Sequence, residues 1–170
     1  VLHVAMRFTV LLFILPPFAL TDEDPIFQTP AFKCALSVTR YIRSETNKAL
    51  TQVFETCPVT DPSEVDNVNH FIAQVSNEVE NKVRERGNFD PFTKDTPTVP
   101  ILPRRIKLCI ATSLEGVQKR FDGSNIEDLI SCPNVPIATQ DSLAEGASWG
   151  LTISIGLLRV PTSLDDLFTS

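Results

Sequence analysis

The chain has 170 residues, 42% of them hydrophobic, which is enough to build one domain with a buried core. Its 21 acidic and 15 basic side chains leave a net charge of -6 at pH 7. Because a negative surface repels phosphate groups, this balance argues against binding to nucleic acid or to anionic membranes. It leaves a neutral ligand or a protein partner open.

The first 21 residues have the layout of a secretory signal peptide. Arg7 precedes an apolar run at residues 8–15, and "PPFA" then breaks the run and supplies a small side chain. The apolar run is shorter than the roughly 20 residues that span a bilayer. We therefore predict a secreted, extracellular protein without stable membrane insertion after cleavage; an uncleaved amphipathic anchor is the alternative.

The expected start of the mature chain lies close to residue 22. Met6 is the only methionine, so we interpret residues 1–5 as translated upstream sequence or a cloning remnant. We expect cleavage near residues 19–21. Residues 22–170 would then form a single helical domain.

Four cysteines follow the predicted cleavage site, and an even number in a secreted chain indicates two disulfides. Each half carries two of them, 23 positions apart, and corresponding cysteines are offset by 75 positions. This repetition predicts an internal duplication, with coincidence as the alternative. A zinc site would need closer pairs, so that interpretation is disfavoured. The cysteines are Cys34, Cys57, Cys109 and Cys132.

Two amphipathic helices are predicted in the first half, residues 31–87. The first, residues 32–55, contains no glycine or proline and repeats apolar side chains at three- and four-residue steps. The second begins after Asp61, a good N-cap that Glu64 would complete as a capping box, and it stops at a glycine. Its apolar stripe consists of Val65, Val68, Ile72, Val75, Val79 and Val83.

A proline-rich connector, residues 88–103, is expected to be extended and to join the halves. In the second half, residues 104–160, a third helix begins near Arg104. A turn at Asp122-Gly123 interrupts it, and Ser124 with Glu127 predicts a capping box for a short helix. That short helix is expected to reach Ser131.

The last element, residues 139–158, shows two competing patterns. "LTISI" alternates like a strand, whereas a three- and four-residue stripe favours a helix. We predict a helix because the chain offers no other strand as a partner, although residues 147–170 remain open between the two. The helical stripe consists of Leu143, Ala147, Leu151, Ile155 and Leu158.

Both second cysteines precede a proline, which restricts the preceding residue to non-helical angles. We therefore expect a helix to end at Cys57 and another at Cys132. One continuous helix of 23 residues would hold Cys34 about 35 Å from Cys57, too far for a disulfide. The bridges would then join the halves, either as Cys34–Cys132 with Cys57–Cys109 or as Cys34–Cys109 with Cys57–Cys132. Bending of each half at its midpoint, which would close each pair locally, is the third option.

These elements predict an all-α fold: a disulfide-stapled helical bundle of four to five helices, arranged as two pseudo-repeated helical hairpins. Buried stripes on several helices and the absence of a strand partner support this class.

Catalytic chemistry is not evident in the sequence. His70 lies beside the apolar stripe of its helix without a nucleophile or metal partner, so we interpret it as exposed and structurally idle. The glutamates at 78, 80 and 85 alternate with basic residues at ion-pair spacing, which indicates a solvated helix face. We therefore predict no enzymatic activity, no catalytic, cofactor-binding or metal-binding residues, and no cofactor.

Three other motifs have ordinary interpretations. "DGSN" at residues 122–125 only faintly resembles a calcium loop, because the later ligands are missing. The pair Arg104-Arg105 is interpreted as surface charge rather than a processing site, and Trp149 as a packing residue.

The leading functional hypothesis is a secreted binding protein that carries a small apolar or lipid ligand between its helices. The alternative is a secreted effector or inhibitor that binds a protein partner through a helix face.

Overall fold

The computed structural model describes residues 25–57 and 59–161, and every regular element within these ranges is helical. The chain folds as an all-α bundle, which confirms the predicted class. The predicted signal segment, Pro58 and residues 162–170 lie outside the described residues. A 3-10 helix, Pro25–Gln28, precedes α1 Pro30–Thr56, α2 Pro62–Arg86, α3 Arg104–Asp122, α4 Ile126–Leu129 and α5 Ile137–Arg159.

Helix α1 is continuous over 27 residues. At its start, the Thr29 side chain accepts a hydrogen bond from the backbone N–H of Phe32, and Pro30 occupies the first turn. At its end, Cys57 is extended, with φ -96° and ψ 141°. This is the conformation that a following proline favours, and the predicted helix end at Cys57 is confirmed.

Helix α2 begins as the sequence predicts, with Asp61 as its N-cap. The Asp61 carboxylate accepts a hydrogen bond from the backbone N–H of Ser63 at 2.9 Å, and that bond holds the pKa of Asp61 below its usual value. The reciprocal half of the capping box is not formed within residues 59–161. Instead, Oε2 of Glu64 is buried there without a hydrogen-bond partner.

The turn predicted at Asp122-Gly123 is confirmed, and α3 ends there. The capping box predicted for α4 is wrong. The Ser124 hydroxyl donates to the carbonyl of Arg120 at 2.7 Å, so it satisfies the last turn of α3 and does not cap the next helix. Asn125 occupies the N-cap position instead, without a side-chain bond.

Helix α5 resolves the helix-or-strand ambiguity over most of the last element, and the predicted helix is confirmed. Two of its three glycines are explained by its neighbour α2. A Cβ atom at Gly146 would lie 2.6 Å from the carbonyl oxygen of Lys82, and one at Gly150 would lie 2.6 Å from the Cα of Val79. The backbones of α2 and α5 therefore approach more closely than any side chain would permit. The predicted stripe is buried along this contact: Leu143, Ala147, Leu151, Ile155 and Leu158.

The bundle is tied by two disulfides that cross between its halves. Cys34 pairs with Cys132 and Cys57 with Cys109, at Cα separations of 5.2 and 6.2 Å. This is the first of the two pairings predicted between the halves, and it corresponds to antiparallel packing of the two cysteine-bearing segments. The alternative, Cys34 with Cys109 and Cys57 with Cys132, is wrong. Local closure is also wrong, because α1 runs unbroken through its midpoint.

The second half does not mirror α1 as one continuous helix. Helix α4 ends at Leu129, before the predicted Ser131, and Cys132 follows in irregular chain, so the helix end expected at Cys132 is wrong. The buried side chain of Gln140 holds this corner, because its Nε2 donates to the carbonyls of Cys132 and Val135 at 3.3 and 3.0 Å. A side-chain amide from α5 thus replaces the backbone bonds that a helix would supply.

The connector, residues 88–103, contains no regular element and is fixed along α2 by three amide side chains. These are spaced seven residues apart, which places them on one face of the helix. The amide of Asn81 bonds the backbone of Phe92 and Thr93, that of Gln74 accepts from the backbone N–H of Thr98, and that of Asn67 donates to the carbonyl of Ile101. The connector is therefore an integral layer of the fold.

Two glutamates of α2 that were expected to face solvent are buried, which corrects that prediction. Glu80 is 5% exposed and bonds the guanidinium groups of Arg43 and Arg84, both at 3.1 Å. Arg84 in turn lies 5.3 Å from the ring centroid of Phe32. The aromatic side chain at the start of α1 and the connector together cover this face of α2.

Glu78 is buried with much weaker compensation. It is 8% exposed, and its only ion-pair partner within the described ranges is Lys82 at 3.9 Å. Desolvation raises the pKa of Glu78 above its usual value, opposed by the charge of Lys82. Two carboxylates, two residues apart, therefore differ in how well their charges are neutralised.

Within the described ranges, no helix is both long and apolar enough to cross a bilayer.

The close approach of α2 and α5 predicts opposite effects for the same substitution at two glycines of one helix. Gly150→Ala should lower the free energy of unfolding by about 1–3 kcal/mol, because the new methyl group meets backbone. Gly156 has open space around it. Gly156→Ala should therefore raise the free energy of unfolding by about 0.5–1 kcal/mol. Urea denaturation measures both, and equal effects of the two substitutions would contradict the tight helix crossing.

The two buried glutamates form a second matched pair. Glu80→Gln should cost about 2 kcal/mol of unfolding free energy at pH 7, since it leaves two guanidinium groups without their carboxylate. Glu78→Gln should not destabilise the protein at this pH, because it removes a poorly compensated buried charge.

The pH dependence separates the two carboxylates further. The pKa of Glu78 is raised by folding, so the stability linked to its protonation is present below its unfolded pKa and is lost as pH rises through its folded pKa. Glu78→Gln should remove that loss. Denaturation curves between pH 4 and 8 measure this loss of stability. If Glu78→Gln and Glu80→Gln were equally destabilised at pH 7, the conclusion that the charge of Glu80 is the better compensated of the two would be refuted.

Candidate ligand groove

An open groove of about 550 Å³ lies between α5 and the end of α3. One wall is the outer face of α5, where side chains recur at three- and four-residue spacing and so line up along the helix. The other wall is formed by the last residues of α3, the α3–α4 turn and Ile126, and Arg86 from the end of α2 contributes at one side. The wall on α5 consists of Asp141, Ala144, Glu145, Ser148, Trp149 and Thr152.

The groove combines an apolar surface with an exposed aromatic ring. Phe121 and Ile126 line it from the core side and are 5% and 6% exposed. Trp149 lines it from α5 and is 52% exposed. A large amphipathic ring left half in solvent beside a cavity offers stacking area that the fold itself does not use.

A chain of hydrogen bonds orients the polar groups of the groove. Nε2 of Gln118 donates to the hydroxyls of Ser148 and Thr152 at 3.2 and 2.6 Å. The Ser148 hydroxyl donates in turn to Oδ2 of Asp122 at 3.1 Å. Because this network joins α3 to α5, the carboxylate of Asp122 is held at the groove by groups that belong to the rigid bundle.

The groove carries an excess of negative charge. Its lining contains three carboxylates, those of Asp122, Asp141 and Glu145, against the single guanidinium of Arg86. That guanidinium is 3.5 Å from Oε2 of Glu145. The carboxylate of Asp122 is bonded to a neutral hydroxyl, so its charge is left uncompensated by this contact. The electrostatics therefore favour a cationic group over an anionic one in the groove.

A second depression, on the surface of α1, is basic and more open to solvent. Its cations are largely engaged, because Arg43 pairs with Glu80 and Lys48 pairs with Glu45 at 2.8 Å. The Glu45 carboxylate raises the pKa of Lys48. This surface also lacks an aromatic wall, so the groove at α5 is the better candidate.

The residues singled out from the sequence lie in separate places. His70 is exposed, and its Nε2 is 3.2 Å from Nε2 of Gln74, so its predicted position at the surface is confirmed. Ser124 and Asn125 line the groove, and no cluster of three or more metal-ligating side chains is formed within residues 25–57 and 59–161. Arg105 is exposed on α3, as the surface-charge interpretation predicts.

Sequence reasoning missed most of the groove. It assigned Trp149 a packing role, and the ring is instead half-exposed. The signal that could have located it is position: Trp149 falls outside the buried stripe of α5, between Ala147 and Leu151, on the face that carries Glu145. An apolar aromatic side chain on a polar helix face is the informative exception to burial.

The structure defines the chain as a disulfide-linked, all-α bundle with a polar and aromatic surface groove. Comparison with protein-family models, with curated proteins and with solved structures finds no match.

The charge of the groove predicts how ions quench the fluorescence of Trp149, the only tryptophan in the chain. At low ionic strength, caesium should quench this fluorescence more effectively than iodide. The comparison uses the Stern–Volmer quenching constant of each ion, divided by its value for a free tryptophan amide. The preference should shrink as salt screens the carboxylates.

Asp122→Asn should reduce the preference for quenching by caesium over iodide, because it removes a negative charge and can keep the hydrogen bond from Ser148. Asp66→Asn, an equal change of charge at an exposed position on α2, is the control and should have little effect. Equal or better quenching by iodide would contradict the negative field.

Proposed function

We propose that this protein is a secreted, non-enzymatic binding protein that holds a small organic ligand in the groove between α5 and the end of α3. The observation that carries the proposal is the half-exposed ring of Trp149 beside a cavity of about 550 Å³. This volume is in the range of small-molecule sites, which are mostly apolar with a few fixed polar groups. Phe121 and Ile126 supply apolar surface and the hydrogen-bonded Asp122 and Ser148 supply fixed polar groups, within a lining that is more polar than that of a typical small-molecule site.

The geometry favours an open site over one enclosed between the helices. The buried stripes of all four long helices pack together as one contiguous cluster. A ligand carried in the interior would have to displace these side chains, and the separation of tightly packed helices is costly. The groove needs no such rearrangement, so we assign the carrying role to the surface.

Secretion fits the signal-like beginning of the chain and its two disulfides. Both bridges are of the structural kind, joining distant parts of the chain, and such bonds form and persist in oxidising compartments. A non-enzymatic role fits the lining of the groove, which includes neither histidine nor cysteine. Its one hydroxyl–carboxylate pair, Ser148 with Asp122, is joined in the lining by no histidine or lysine that could complete a nucleophile–base set.

The experiment is native mass spectrometry of protein recovered from the medium of a eukaryotic expression host. We expect the protein in the medium and a small molecule bound at one equivalent, or taken up from a library of metabolites. Ala144→Met should weaken this binding several-fold, since the longer side chain fills the groove. Ala73→Met makes the same change on the exposed face of α2 and should leave it intact.

Two results would count against the proposal. Retention of the protein inside the cell would refute secretion. A small molecule that binds equally to both methionine variants would mean that its site is not this groove. If only proteins were captured, the alternative of an effector that binds a protein partner through a helix face would gain support.

A further inference from the structure

The chemistry of the groove narrows the class of ligand. We infer that the groove selects organic cations, compounds in which an ammonium group is attached to a compact apolar body. This inference rests on the proposed function, because it takes the groove to be the ligand site and adds what the site recognises.

The first support is the combination of an indole with carboxylates. The face of a tryptophan ring carries negative charge density and attracts a cation within about 6 Å of its centroid. Glu145 lies one helical turn before Trp149 on the same face of α5, and Ser148, the residue before Trp149, is bonded to the carboxylate of Asp122. Ring and carboxylates therefore surround one part of the groove.

The second support is that the lining of the groove supplies little positive charge, because Lys119 and Arg120, the basic residues in the last turn of α3, are not part of it. Arg86 is the only cationic side chain in the lining, and it is placed toward Glu145. Asp122 is the last residue of α3, where the helix dipole already concentrates negative charge. A carboxylate at a helix C-terminus is unfavourable for the helix. A bound cation would interact favourably both with this carboxylate and with the negative end of the helix dipole.

The third support is the apolar base. Phe121 and Ile126 present carbon surface toward the groove while remaining part of the core. A strongly hydrated metal ion gains nothing from such a surface. An alkylated ammonium group, whose charge is spread over a carbon shell, matches ring, carboxylate and apolar base together.

The test compares three soluble probes of similar shape and different charge. They are choline, its neutral carbon analogue 3,3-dimethylbutan-1-ol, and the anion 3,3-dimethylbutanoate. Binding is followed at low ionic strength by the emission of Trp149 and by isothermal titration. We expect choline to bind about 10-fold more tightly than the neutral analogue, which corresponds to one cation–aromatic contact at a ring that is half exposed. The anion should bind most weakly.

Variants separate charge from shape. Asp122→Asn should weaken choline binding by about 3- to 10-fold and leave the neutral analogue unchanged, and Asp66→Asn should affect neither. Trp149→Leu, followed by titration calorimetry because the fluorophore is lost, should weaken choline more than the alcohol. Circular dichroism of each variant confirms that the bundle remains folded.

The outcomes distinguish this inference from the proposed function. If the alcohol or the anion perturbs Trp149 as strongly as choline does, the groove binds ligands without selecting cations, and only the inference is overturned. If none of the three probes binds, the inference is overturned, and the proposed function is decided by the ligand recovered in native mass spectrometry.

Discussion

The structure depends on covalent links between two halves that are far apart in sequence. The disulfides join residues 98 and 52 positions apart, and each connects the first cysteine of one half to the second cysteine of the other. Exchanging the halves converts one bridge into the other, which is compatible with two hairpins related by a two-fold axis. The bridges fix both ends of α1. Beside it, α2 and α5 pack closely at Gly146 and Gly150, because such backbone contact is tolerated only where Cβ atoms are absent.

That close crossing bears on where the proposed ligand site lies. α2 and α5 meet without space between them at Gly146 and Gly150, and buried side chains fill the rest of the interior. The outer face of α2 is also occupied, because the amides of Asn67, Gln74 and Asn81 hold the connector against it. The outer face of α5 carries the groove instead. The two helices thus share one buried contact and differ in what their opposite faces present, connector on one and exposed Trp149 on the other.

Sequence reasoning succeeded where one local physical rule decides the outcome. The stripe of α5 and the cap at Asp61 follow from periodicity and from hydrogen-bonding chemistry, and both were predicted. It failed where a distant segment changes the environment. Glu80 was assigned to solvent by its neighbours, yet it is buried and bonded to Arg43 of α1, which lies 37 positions away in sequence. The cysteine pairing lies between these cases: spacing limited it to few options, and only the continuity of α1 with the antiparallel packing selected one.

The groove shows most clearly that local sequence patterns do not reveal features built from distant segments, because no single segment contains it. Its parts come from five places: the outer face of α5, the end of α3, the α3–α4 turn, the first residue of α4 and the last of α2. Each part has an ordinary local interpretation, Asp122 as a turn residue and Trp149 as a packing residue. Only the Gln118–Ser148–Asp122 hydrogen bonds, which join α3 to α5, show that these residues share one site. The proposed binding site is assembled from separate segments and leaves no motif in the sequence, so the proposal rests on the charge and exposure of neighbouring side chains in the fold.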